Sequence, residues 1–157
     1  ESGGAIHVLG GRTYSNTTYQ TSFYGTPGPD GSITAWFIGD NLPNPYYQGW
    51  LAESNGRLFI GNGYIDNLAT VTNQTYQSAT WKTGGAGNWS PGPLNTKSAY
   101  GCAAVAVRDR IYVAGGYASG AYVKEGEYPV AQHKGLALGL EPLGHPGQLI
   151  EAVQNVP

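Results

Sequence analysis

The hydrophobic and polar positions of this chain fall into short β-type runs, and one run shape recurs. Ile6-His7-Val8-Leu9-Gly10-Gly11, Leu58-Phe59-Ile60-Gly61-Asn62-Gly63 and Ile111-Tyr112-Val113-Ala114-Gly115-Gly116 each read as an apolar strand that stops on glycine. Successive copies lie 52 and 53 residues apart. A fixed period of about 50 residues marks a repeat architecture, each repeat being one supersecondary unit. The stretches between the copies keep the same phase. Thr- and Tyr-rich segments at Tyr14–Tyr24 and Leu68–Trp81 predict strands. Asp30-Gly31 and Thr83-Gly84-Gly85-Ala86-Gly87 predict turns. Ser32–Phe37 predicts a short strand carrying Trp36, and Trp89 follows that Trp by 53 residues. Asn41-Leu42-Pro43-Asn44-Pro45 predicts a loop, because the residue before each proline is driven out of helical conformation. Ser90-Pro91-Gly92-Pro93-Leu94 is its counterpart, with Leu94 52 residues after Leu42. Tyr46–Glu53 and Ala103–Val107 predict strands that turn, at Ser54–Arg57 and Arg108–Arg110, into the next glycine-ended strand.

The third period decays. Ala121-Tyr122-Val123 and Glu127–Ala131 resemble the second strand, Pro142 stands where a third Trp is due, and Leu143-Gly144-His145-Pro146 resembles the proline loop. The segment Gln148-Leu149-Ile150-Glu151-Ala152-Val153-Gln154-Asn155-Val156 reads as the strand that precedes each glycine-ended one, with a short helix or an extended arm as the alternative. The repeats therefore run 6–57, 58–110 and 111–157 as one segment, with 118–157 the degenerate part and a candidate arm between subunits.

Composition sharpens the fold class to all-β. The 157 residues include 25 Gly, 10 Pro and 12 Tyr, with 40% hydrophobic, 12% aromatic and 11% charged residues. That much aromatic and apolar content argues against disorder, and frequent glycine suits a chain of tight turns. The net charge of −2, without a basic run, argues against nucleic acid as a partner. No apolar run reaches the 18 or so residues of a membrane helix, and Glu1-Ser2-Gly3-Gly4 has no signal-peptide pattern. The sequons at Asn16, Asn73 and Asn88 are candidate glycosylation sites. Together with the low charge and the Tyr-rich polar surface, they point to an extracellular or cell-surface protein.

These motifs resemble kelch-type β-propeller repeats, and the Asp30–Trp36 stretch is similar to the secreted prokaryotic variant of that family. The resemblance covers residues 5–117 well and 118–157 poorly. It implies that each repeat is one four-stranded blade. On that reading Gly10, Gly11, Gly61, Gly63, Gly115 and Gly116 let neighbouring blades approach. Trp36 and Trp89 fill the space between adjacent sheets, and the Leu-Pro loop ends the outer strand.

Little in the chain points to chemistry. His7, His133 and His145 have no metal-ligand spacing, and His7 occupies the position of Phe59 and Tyr112, as a packing residue would. Cys102 lies in the apolar run Cys102–Val107, which suits a buried inert thiol, cannot form an intrachain disulfide and argues against a Tyr–Cys copper site. Asp30, Asp40, Glu53 and Asp66 match no calcium loop. The glycine stretch after Thr83 lacks the Lys of a phosphate loop. The expectation is a protein without enzymatic activity, cofactor or metal.

Rings close with about four or more blades, whereas the chain holds about three repeats. Its two ends read as complementary parts of a blade. The expected function is therefore a structural subunit that self-assembles by blade or strand complementation into rings, a filament or a tube, with Gln148–Val156 completing the first blade of another copy. Two alternatives stand beside it. One is a fragment of a larger propeller. The other is a lectin-like module, in which Tyr14, Tyr19, Tyr24, Tyr46, Tyr47, Trp50, Tyr64, Tyr76, Trp81 and Tyr117 supply faces for sugar rings; the same aromatics suit the spaces between blades or a subunit interface equally well.

Overall fold

A computed structural model describes residues 4–65, 70–80, 84–95, 97–108, 110–123 and 126–127. They contain strands and no helix. Three antiparallel sheets follow one another along the chain. The first blade holds β1 (Ile6–Leu9), β2 (Ser22–Gly25) and β3 (Phe37–Ile38), in that order. The second is a complete four-stranded blade. It holds β4 (Trp50–Ser54) and β5 (Arg57–Gly61), then β8 (Thr75–Thr80) and β9 (Ala86–Pro91). The third holds β10 (Ala103–Val107), β11 (Arg110–Ala114) and β14 (Gly126–Glu127). A small hairpin caps the glycine-ended strand of each later repeat: β6 (Tyr64–Ile65) with β7 (Thr70–Val71), and β12 (Tyr117–Ala118) with β13 (Ala121–Tyr122). In the first repeat a single bridge, Arg12 to Thr18, takes that place.

The tight turn between β4 and β5 shows why these residues fold as they do. Asn55 and Gly56 both adopt positive φ, 53° and 70°. This is the backbone that joins two twisted antiparallel strands in two residues, and Asn and Gly are the types that tolerate it. The Glu53 carboxylate accepts the Gly56 N–H at 2.8 Å and fixes the turn. Arg108 repeats the conformation at 57°, between β10 and β11.

Several expected elements are redistributed. The Tyr14–Tyr24 strand shrinks to β2, because Asn16 at φ 67° turns the chain back and Thr13 Oγ1 accepts the Thr17 N–H at 3.1 Å. Tyr46–Glu53 begins as a strand only at Trp50, after a left-handed Gln48 at φ 55°. The expected strand at Ser32–Phe37 appears as β3 only from Phe37. Strand β9 runs through Trp89 to Pro91, past the expected loop boundary. Proline is tolerated there because β9 is the outer edge of its sheet. The proline-loop alignment moves by one residue. Leu42 N–H bonds Gln20 O at 2.8 Å, and Asn95 N–H bonds Asn73 O at 2.9 Å, so Asn95 and not Leu94 fills the buried slot of Leu42. Leu94 is exposed as a result. Trp81, Asp66, His133, His145 and Gln148–Val156 lie outside the described residues.

Two cores separate the sheets. Leu42, Tyr46 and Ile60, joined by Leu9, Tyr76 and Trp89, lie between the first and second blades. Trp50, Ala52, Phe59, Ile111 and Val113, joined by Cys102, Ala104 and Ala106, lie between the second and third. Alternation along each strand sends Ile60 towards one core and Phe59 towards the other.

Candidate functional site

The repeat lets each residue be compared with its counterpart in a neighbouring blade, and the comparison isolates two surfaces. In the second blade Leu58 and Ile60 face the first blade and are 2% and 3% exposed. Their third-blade counterparts Ile111 and Val113 are equally buried against the second. Ile6 and Val8 hold the same positions in the first blade, yet are 42% and 48% exposed. The strand register puts Phe23 opposite Val8 and Ile38 opposite Phe23, so both share that face and both are exposed. Trp36 completes it, lying against Gly25, where an added Cβ would come within 3.3 Å of the indole. At the other end of the row, Val105 and Val107 are exposed, whereas their counterparts Ala52 and Ser54 are buried. The row of blades thus presents one apolar face of each of the two kinds that pair inside it.

The two tryptophans show the difference directly. Trp89 is half-buried in the first core, and its Nε1–H donates to the Asp40 carbonyl at 3.2 Å, 49 residues back. That bond staples the second blade to the first. Trp36, expected to act as a staple too, is exposed on the open face. Its physical reason is the absence of a preceding sheet among the described residues.

The glycines divide. A Cβ on Gly10 would fall 2.5 Å from Tyr46 O. On Gly63 it would fall 2.5 Å from Gly49 N, and on Gly116 2.6 Å from Cys102 Sγ. Gly61 packs under the Trp50 indole, where a Cβ would be 2.7 Å from the ring. Gly11 and Gly115 have open space around the Cβ direction, and both adopt positive φ, 110° and 70°. Gly11 N–H donates to Tyr46 O at 2.8 Å and Gly63 N–H to Ala99 O at 2.6 Å, so the same main-chain bond links each blade to the next.

Asn62 replaces the first glycine of the pair and is fully buried at φ 53°. Its Oδ1 accepts Trp50 Nε1–H at 2.8 Å and an Asn95 Nδ2–H. Its own Nδ2–H donates to Lys97 O at 2.8 Å. One amide therefore ties β4, β5 and the segment that leads into the third blade. Sequence reading noted the substitution but not these partners, which lie 12 to 35 residues away.

A row of aromatic side chains runs from one blade to the next. The Arg12 guanidinium sits 4.6 Å from the centre of the Tyr47 ring. Ring centres then step from Tyr47 to Tyr64 by 6.4 Å, to Tyr100 by 4.6 Å, to Tyr117 by 5.5 Å and to Tyr122 by 5.4 Å. Paired main-chain bonds join Tyr47 to Tyr64 and Tyr100 to Tyr117 within their blades. The contacts of Arg12 with Tyr47 and of Tyr64 with Tyr100 cross from one blade to the next. These tyrosines turn faces and edges to one another, the arrangement that suits packing between blades.

The remaining candidates are placed as follows. Asn16 and Asn88 are exposed, while Asn73 is half-buried with its Nδ2–H donated to Asn95 O at 3.0 Å. Asp30 accepts the Ser32 hydroxyl at 2.8 Å and the Ser32 N–H at 3.0 Å, which hold its carboxyl below the usual range. His7 packs near Tyr24, with ring centres 6.4 Å apart. Cys102 is half-buried beneath Gly116 rather than fully enclosed.

Successive four-strand-type sheets packed face to face and joined near one axis define a β-propeller. Residues 98–128 match the Kelch motif family model. The same glycine-ended unit is built twice more along the chain, so the matched stretch is a kelch-type repeat within a propeller fold. The solved structure of YjhT is similar in fold, with a TM-score of 0.62 at 12% identity, over 78% of this chain and 39% of that one. The chain thus spans about two fifths of the length of that structure. No curated protein matches the chain.

Proposed function

We propose that this propeller segment is a non-catalytic structural module, exported from the cell, that closes its ring by head-to-tail association of copies. The observation that carries this reading is the contrast between Ile6 and Val8, exposed on the first blade, and Leu58 and Ile60, buried in the same positions on the second. Inside the chain a face of that kind is covered by the opposite kind of face on the blade before it. The third blade offers that opposite face through Val105 and Val107. A second copy therefore brings to each open face the chemistry that already pairs twice within one chain, and such heterologous contacts close into a ring when the rotation per copy fits. Two copies supply about six blades, within the usual range of about four to eight. On this reading Gln148–Val156, which lies outside the described residues, would complete the first blade of the partner copy. The exposed sequons at Asn16 and Asn88 fit an exported surface.

The test is the native mass of the full chain by light scattering, with negative-stain microscopy. Rings or filaments of defined width are expected, reverting to smaller species when Val8 and Ile38 are both replaced by Lys. A monomer at micromolar concentration overturns the self-assembly reading in favour of a segment completed by further blades of its own chain. Retention on a glycan array by a discrete oligomer favours the lectin-like reading instead.

A further inference from the structure

Tyr64 and Tyr100 are the closest ring pair of the aromatic row. Their centres are 4.6 Å apart and their planes are inclined by 37°. Both are half-buried. The neighbouring Tyr64 phenol pushes the Tyr100 phenol above its ordinary value. Ring centres this close bring carbons of the two phenols near one another, and the carbons ortho to the hydroxyl carry unpaired spin in a phenoxyl radical. The two residues come from different blades, Tyr64 following β5 and Tyr100 preceding β10. A carbon–carbon bond between them would fasten the second blade to the third covalently, in a chain whose one cysteine cannot do so with a disulfide.

We propose that Tyr64 and Tyr100 are a site of oxidative dityrosine cross-linking, formed with a peroxide-driven one-electron oxidant. Each phenol gives up one electron and its hydroxyl proton. The two radicals couple through one ortho carbon each, and the hydrogens on those carbons shift to the oxygens to restore two phenols. One molecule of hydrogen peroxide takes up the two electrons and two protons and leaves as two waters. The exposed Tyr122 ring lies two steps along the row from Tyr100, through Tyr117, at 5.4 and 5.5 Å. It provides a point where an oxidant too large to reach the pair can abstract the first electron.

The test treats the full chain with a haem peroxidase and hydrogen peroxide, then isolates the monomer-weight product on a denaturing gel. The expected product has lost two hydrogens in mass and shows dityrosine fluorescence. Trypsin releases from it the peptide Leu58–Lys82 joined to Ser98–Arg108, the second of which contains Tyr100 as its only tyrosine. Tyr64→Phe and Tyr100→Phe, each verified as folded by an unchanged circular dichroism spectrum, abolish that joined peptide, whereas Tyr14→Phe leaves it intact. The proposal is overturned if the joined peptide persists in Tyr64→Phe, if the links map to other pairs, or if no product of monomer weight forms.

Discussion

Replacing Asn62 by glycine restores the residue type found at this position in the other two repeats, Gly10 and Gly115, so a consensus argument expects stabilisation. The structure expects the opposite. Without the amide, the Trp50 indole N–H and an Asn95 amide N–H lose their buried acceptor, at about 1–3 kcal/mol each. The Lys97 carbonyl loses its donor as well. Glycine returns at most about 1–2 kcal/mol by relieving the left-handed backbone, less for Asn, which tolerates it. The net expectation is a loss of about 2–3 kcal/mol, or roughly 4–12 °C in Tm for a chain of this size. Urea unfolding followed by tryptophan fluorescence is the assay, since Trp50 reports on the site itself. The midpoint should fall with the slope unchanged. A variant as stable as the parent, or more so, would refute the claim that hydrogen bonding outweighs backbone strain here.

The two tryptophans should behave differently despite equivalent positions. Trp89→Ala removes a staple with its hydrogen bond and should cost about 2–3 kcal/mol, below the range for a fully buried Trp. Trp36→Ala should cost under about 1 kcal/mol in the isolated chain while lowering the native mass by light scattering. Equal costs for both would sink the distinction between an occupied and an open face. Tyr46 sets an alkaline limit. Its phenol is fully buried, donates to Gln74 O at 3.2 Å and has its pKa pushed well above the ordinary value, by burial first and by neighbouring Tyr76 second. A folded pKa above the unfolded one means that stability is complete below about pH 10 and declines as pH rises beyond it, because only the unfolded phenol ionises there. Denaturation midpoints from about pH 9 to about pH 11 should fall less steeply for Tyr46→Phe than for the parent, and an unchanged slope would count against the assignment.

The repeat, the strands that end on glycine and the turn at Asn55-Gly56 were legible because each is a local pattern: alternation, β-propensity or a residue type that accepts positive φ. The turn at Arg108 was legible from the repeat phase alone. Exposure was not. Trp36 and Trp89 carry the same letter in the same phase, and only the presence of a neighbouring sheet separates them. Leu94 looked like the counterpart of Leu42 because the letters match, but one extra residue of spacing hands the buried slot to Asn95. The Thr-rich stretch after Tyr14 has strand propensity throughout, and the Thr13 side chain and left-handed Asn16 override it locally. The polar knot at Asn62 and the contact of Tyr64 with Tyr100 depend on partners from separate elements, which no window of sequence displays.

Among the described residues, the second blade alone has a sheet against both of its faces. Each neighbour contributes a nearest-neighbour term to its stability, so local opening cannot cost the same everywhere along the chain. Fluctuations should begin at the two outer sheets and stop at the middle one, where opening β5 would break contacts on both sides at once. The middle sheet is then the most resistant of the three, with two softer flanks. Growth by adding copies would move that soft boundary outward, so that a sheet which frays in the free chain becomes interior, and as slow to open as the middle one, once it has been joined.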